Sequence, residues 1–244
     1  MLAYDQGLEH GPVDFNLDNI DPQYIVDIAN EGGFNAVIFQ HGIAEKYAEK
    51  IKVPLIIKLN GKTNLADVAP YSAINCSVKR AVKLGASAVG YTIYLGSPRE
   101  SDIFREFAEV VEEAHRYGLP VIAWVYPRGP KINDDKTTEL LAYAARTGLE
   151  LGADVVKIKY NDDIEGFKWV TKAAGKTKVV VAGGAKLEDK KLLENVKDIM
   201  QTGACGMAIG RNVWQHDNPL GVSRALKKIV FDDADVESAL KEIN

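Results

Sequence analysis

The chain has 244 residues, 46% hydrophobic and 26% charged, proportions that suit a soluble globular fold rather than a disordered or fibrous one. A formal net charge of −4 argues against binding to nucleic acid or an anionic membrane surface, and no apolar run is long enough to span a bilayer. Cys76 and Cys205 stand far apart, and His10, His41, His115 and His216 form no ligand pair at helical spacing. The composition therefore points to reduced thiols, a cytoplasmic setting and no metal site.

In chain order, short apolar strands alternate with longer amphipathic segments. The pattern predicts strands at 2–5, 36–40, 54–60, 87–92, 120–126, 154–160, 178–183 and 206–210, with the clearest helices at 22–31, 102–117, 136–152, 187–202 and 216–230. Met1 to Asp5 already reads as a strand, so no basic-then-apolar leader is expected before it. In the second of those helices Ile103, Phe107, Val110, Val111 and Ala114 recur at helical spacing, and Asp232-Asp233-Ala234-Asp235 introduces a capped terminal helix. Eight strand–helix units without a linker predict the α/β class and one (β/α)8 TIM barrel as a single domain over residues 1–244. An open doubly wound sheet would place a glycine fingerprint after its first strand. Here that position holds the polar loop Asp5-Gln6-Gly7-Leu8-Glu9-His10-Gly11-Pro12.

Successive strand residues face opposite sides, so alternation assigns faces. On the sixth strand Val156 and Ile158 suit the helix side, which turns Val155, Lys157 and Lys159 inward. On the fifth, Val121, Ala123 and Val125 form the outer set, leaving Ile122, Trp124 and Tyr126 inward. On the third, Ile56, Lys58 and Asn60 face in. Asp5 ends the first strand, so polar residues gather at strand C-terminal ends, where barrel enzymes build their sites.

Two lysines inside an apolar β-branched strand are costly unless an amine has a task, and a desolvated lysine is suited to attack a carbonyl and form a Schiff base. Burial and mutual repulsion among Lys157, Lys159 and Lys58 favour one neutral amine beside a charged one. Alternation alone does not choose between Lys157 and Lys159. Tyr126 and Asp5 are the candidates for moving protons, and Trp124 for an apolar wall. The turns Gly183-Gly184 and Gly210-Arg211, each leading toward a helix, sit where barrels bind phosphate. His10, Lys58 and Arg128 are placed to grip a second anionic group.

Several strings carry this chemistry: LAYDQGLEHGP at 2–12, FQHGIAEKY at 39–47, IKLNGKT at 57–63, SAINCSV and LGASAVGYTIYLGS between 72 and 97, WVYPRG at 124–129, LELGADVVKIKY at 149–160 and IGRNVWQ at 209–215. Through them nearly the whole chain resembles the archaeal-type class I fructose-bisphosphate aldolases, within the DhnA/DeoC-like Schiff-base barrels. The resemblance implies an aldehyde-lyase of glycolysis and gluconeogenesis that cleaves fructose 1,6-bisphosphate reversibly, with no metal or other cofactor. It assigns the Schiff base to Lys157 and general acid/base work to Tyr126, in place of the glutamate of the animal-type enzymes. Asp5 and Trp124 become partners of the lysine, Lys159 an electrostatic support, and the Gly183–Gly184 and Gly210–Arg211 loops the phosphate holders. It also implies ring-based homo-oligomers, commonly decamers. Three departures stand out: relatives carry residues before the first strand, a serine can replace Ala182, and a histidine can replace Gln6. A related lysine-dependent aldolase or transaldolase acting on another phosphorylated sugar, as in deoxy amino-sugar precursor synthesis, is the alternative; a non-catalytic sugar-phosphate binder ranks last.

Overall fold

A computed structural model describes residues 1–5, 7–65 and 69–243, so Gln6, one of the three departures, lies outside the described residues. Eight parallel strands follow one another in sequence order: β1 (Leu2–Ala3), β2 (Val37–Gln40), β3 (Leu55–Lys58), β4 (Ala88–Leu95), β5 (Val121–Pro127), β6 (Val155–Ile158), β7 (Lys178–Ala182) and β8 (Gly206–Ala208). The two ends of the sheet meet. Ala3 N–H donates to the Ile209 carbonyl at 2.7 Å and Ile209 N–H to that of Met1 at 3.0 Å, so the sheet curls into the barrel expected from the sequence.

Helices cover the outside: α1 (Pro22–Glu31), α2 (His41–Tyr47), α3 (Val78–Lys83), α4 (Glu100–Arg116), α5 (Thr138–Glu150), α6 (Ile164–Ala173), α7 (Asp189–Gln201) and α8 (Pro219–Asp232). Several starts are fixed by side chains that accept from otherwise unpaired backbone donors: Asp21 from Gln23, Thr137 from Leu140, Asp163 from Gly166 and Asn218 from Gly221. The terminal helix Val236–Leu240 is capped by Asp235. No helix among the described residues is long and apolar enough to cross a membrane.

The strands are mostly apolar because both faces are covered. Val121, Ala123, Val125, Val156 and Ile158 pack outward into one core with Phe107, Phe167 and Leu193 from the helices. Ala3, Ile38, Ile56, Ile122, Trp124 and Val180 fill the barrel interior. Burying each large apolar side chain stabilises the fold by roughly 1.5–3 kcal/mol.

The boundaries depart from the sequence reading where the chain leaves the sheet. β3 stops at Lys58, and Asn60–Gly61 pairs antiparallel with Ala73–Ile74 instead. Asn60 is buried, but its amide serves the backbone: Nδ2 donates to the carbonyls of Ser72 (3.2 Å) and Thr92 (3.0 Å), and Oδ1 accepts from Thr92 N–H at 2.8 Å. It braces the rim where the strand ladder ends and has no polar group left for a ligand. β6 likewise ends at Ile158, which places Lys159 one residue beyond the ladder.

Candidate active site

The C-terminal ends of the strands surround a cavity of about 520 Å³, lined by Asp5, Trp124, Tyr126, Lys157, Lys58, Lys159, His10, Arg128, Gly183, Gly184, Gly210 and Arg211. All twelve candidate residues from the sequence thus reach one space. Their roles in it differ, because their charges are satisfied differently.

Lys157 projects from β6 beside Trp124, its register partner on β5, and is 6% exposed. Its Nζ lies 4.9 Å from the centroid of the Trp124 ring and makes no ion pair with any described residue. Burial pushes its pKa below the ordinary lysine value; Asp5 and Glu9 oppose that shift and Lys58 reinforces it. The result is an amine predisposed to lose its proton.

Lys58, on β3, is buried further still, at 2% exposure, yet its situation is reversed. Glu9 Oε1 lies 2.6 Å from its Nζ and Asp5 Oδ2 3.4 Å away. Burial disfavours its charge, but the two carboxylates outweigh burial and hold its pKa above the ordinary value. Lys58 therefore sits within a compensated cluster in the cavity wall, and it is not an open grip for a substrate anion. Asp5 is held below the usual carboxylate range: burial raises it, while Lys157, Lys58 and its backbone hydrogen bond together lower it further.

Tyr126 faces the same space. Burial, then the negative charges of Asp5 and Glu9, raises its phenol well above the ordinary tyrosine value, with Arg128 pulling weakly the other way. At neutral pH it holds its proton. Trp124 is 1% exposed and its Nε1 finds no acceptor among the described residues.

Lys159 is half-buried and ion-paired with Asp135, which comes from the loop after β5. The two lysines that alternation left tied are thus distinguished by their partners.

On the neighbouring wall, after β7, Gly184 adopts a left-handed φ of 68°, and a Cβ on Gly183 would press to 2.9 Å against the Ile209 backbone. The two glycine loops are tied together. Asn212 Nδ2 donates to the carbonyls of Gly183 (3.0 Å) and Ala185 (2.8 Å), while its Oδ1 accepts from Leu187 N–H at 2.8 Å. Arg211 donates to the Gly184 carbonyl at 3.1 Å and lies 3.5 Å from Asp14. Gly183 N–H is engaged by Ala208 at 2.9 Å, and α7 begins only at Asp189. A helix start adjoins only the second glycine loop, as the single turn Arg211–Trp214. Ala182 lies in the cavity wall between them.

At the other rim Arg128 is exposed, stacks over Tyr94 at 5.6 Å and makes no ion pair with a described residue. His10, expected beside Arg128, instead has its Nδ1 2.9 Å from Asp14, the carboxylate that also lies 3.5 Å from Arg211, so it stands next to the second glycine loop. Sequence reading missed Glu9, Asp135, Asn212 and the cavity-lining Lys136. A signal for Glu9 existed: an inward lysine on β3 requires carboxylates, and Asp5 and Glu9 lie four residues apart on one loop.

A buried amine of lowered pKa, a carboxylate, a protonated phenol and two glycine-rich loops are the parts suited to opening a phosphorylated carbonyl compound through an imine. Comparison with known proteins agrees with that inventory. The model of the DeoC/LacD family aldolases matches residues 1–216. A class 1 fructose-bisphosphate aldolase of Thermoproteus tenax is 50% identical over 234 residues, covering 95% of this chain and 89% of that protein. One from Halobacterium salinarum is 43% identical over 247 residues, covering 100% and 94%. An archaeal fructose-1,6-bisphosphate aldolase, solved with its catalytic lysine covalently bound to the carbinolamine intermediate of the substrate, superimposes with a TM-score of 0.91 at 50% identity, over 94% of this chain and 92% of that one. The chain belongs to the DeoC/LacD aldolase family, among its archaeal-type class I fructose-bisphosphate aldolases.

Proposed function

We propose that this chain cleaves fructose 1,6-bisphosphate reversibly into dihydroxyacetone phosphate and glyceraldehyde 3-phosphate through a Schiff base on Lys157. One observation carries the assignment of the lysine: Lys157 is the buried amine in the cavity without a carboxylate partner, whereas Lys58 and Lys159 are each ion-paired.

In the forward direction the neutral Lys157 amine adds to the C2 carbonyl, giving a carbinolamine. Tyr126 donates its proton to the departing hydroxyl, and water leaves as the iminium forms. The Tyr126 phenolate, close to the developing positive charge, then takes the proton of the C4 hydroxyl. The C3–C4 bond breaks, its electron pair enters the iminium to give an enamine, and the aldehyde leaves. Protonation at C3 and hydrolysis of the imine release the ketone phosphate and restore the amine. Asp5 supplies the negative charge that stabilises the iminium and steers the proton on Tyr126. Trp124 excludes water from the amine. The Gly184 and Gly210–Arg211 loops hold the phosphate of the ketone half. Arg128 takes the phosphate of the aldehyde half, and Lys58 and Lys159 contribute fixed positive charge.

Borohydride reduction in the presence of fructose 1,6-bisphosphate should leave an adduct on Lys157, located by peptide mass. Cleavage at near wild-type rate by Lys157→Ala would overturn the mechanism. A panel of phosphorylated ketoses separates this reading from a related aldolase or transaldolase. We further propose that the chain acts as one domain in a cytoplasmic homo-oligomer, a decamer by its resemblance, which light scattering and cell fractionation test.

A further inference from the structure

Gly90 lies on the inward face of β4, between Lys58 on β3 and Ile122 on β5 in the strand register. Its backbone is not in the left-handed region, so conformation does not call for glycine there. Space does. A Cβ on Gly90 would stand 1.9 Å from Cζ3 and 2.1 Å from Cη2 of Trp124. That indole is 1% exposed and packed among core side chains, with the active-site cavity as the open space beside it. The same ring forms the wall beside Lys157, whose Nζ lies 4.9 Å from its centroid.

We propose that Gly90 is a positioning residue for the covalent step: its missing side chain seats the Trp124 indole across β4, and the seated ring fixes where the Lys157 amine and the substrate carbonyl meet. A methyl group at position 90 forces the ring off its seat. The sheet backbone closes the other directions, so the ring moves toward the cavity, into the space of the reacting carbons. Displacements of about an ångström at such a site cost roughly a hundredfold in rate. The inference rests on Lys157 being the Schiff-base lysine.

The test is a cycle of Gly90→Ala, Trp124→Leu and the double variant, assayed with fructose 1,6-bisphosphate and trapped with borohydride. In the wild-type background Gly90→Ala should lower kcat about a hundredfold with KM within about threefold, the mark of an interaction lost from the reacting geometry rather than from substrate binding. In the Trp124→Leu background, where the ring is gone, the same substitution should cost less than about threefold, because its effect runs through the indole. Near wild-type activity of Gly90→Ala, or equal losses in both backgrounds, overturns the proposal. If Gly90→Ala alone does not fold, a folded double variant as active as Trp124→Leu supports it, and an unfolded double variant overturns it. Absence of the Lys157 adduct in the wild type brings down the Schiff-base reading and this inference with it. An adduct together with equal losses removes this inference alone.

Discussion

Two lysines in one barrel, Lys58 on β3 and Lys157 on β6, are buried to nearly the same degree, yet their pKa values are driven in opposite directions. The difference lies in the company each keeps. Lys58 has Glu9 at 2.6 Å and Asp5 at 3.4 Å, so Coulomb attraction exceeds desolvation and the ammonium stays charged. Lys157 has an indole beside it and no carboxylate in ion-pair contact, so desolvation prevails and its pKa falls. Burial makes a lysine sensitive to its neighbours, and the placement of two carboxylates decides which amine becomes the nucleophile.

The severest way to break this contrast is to exchange roles. Lys157→Ala should lower kcat by at least about 10⁴-fold, with no borohydride adduct, since its neighbours are ion-paired and cannot substitute. Next in size, Tyr126→Phe should cost about 10²–10⁴-fold in kcat and slow borohydride trapping with it, since the phenol serves both carbinolamine dehydration and carbon–carbon cleavage, while single-turnover measurements still detect addition at Lys157. Lys58→Met should destabilise the protein by about 3–5 kcal/mol, because it leaves the buried Asp5 and the half-buried Glu9 without their ion-pair partner. Lys157→Met should stay within about 1 kcal/mol of the wild type, since it removes an amine that burial already penalises; denaturant titration of the two variants compares them directly.

A pH experiment sharpens the same contrast. The free amine attacks, and it predominates above the pKa of Lys157, which burial places below the ordinary lysine value. The trapping rate should therefore rise with pH along a limb lying below that value. Lys58 is one cause of the lowering, while Asp5 and Glu9 act the other way. Its replacement by Met should then move the limb to higher pH. A limb that stays put would show that Lys58 does not tune the nucleophile. The smallest effect concerns the rim: Arg128→Ala should raise KM for the bisphosphate about 10- to 100-fold, the worth of one charged phosphate contact, and change KM for a monophosphorylated ketose far less.

The barrel was legible because β-branched runs such as Val155–Ile158 and Val121–Val125 are buried on both faces, and their period-two alternation survives folding. Inward orientation of Lys157, Trp124 and Tyr126 followed from that periodicity alone. Alternation failed at strand ends. Asn60 was counted as a rim residue because strand three was extended through it, whereas the ladder stops at Lys58 and the amide caps backbone groups. Lys58 presents the complementary case. Its direction was readable, but its task depends on Glu9, and the path of the loop after β1 leaves no trace in a local pattern. Asn212 was likewise hidden, since its value lies in joining two loops nearly thirty residues apart.

The closure of the barrel between Leu2 and Ile209 also has a bearing on life before the native state. Asp5 and Lys157 are separated by most of the chain, and β8, which completes the ring, is the last strand to leave the ribosome. Until that strand docks against the first, Lys157 is a hydrated, protonated side chain with ordinary reactivity toward the aldehydes and ketones of its surroundings. Topology thus ties the tuning of the amine to the assembly of distant segments, since Asp5 from the first strand and Lys58 from the third act on a lysine of the sixth.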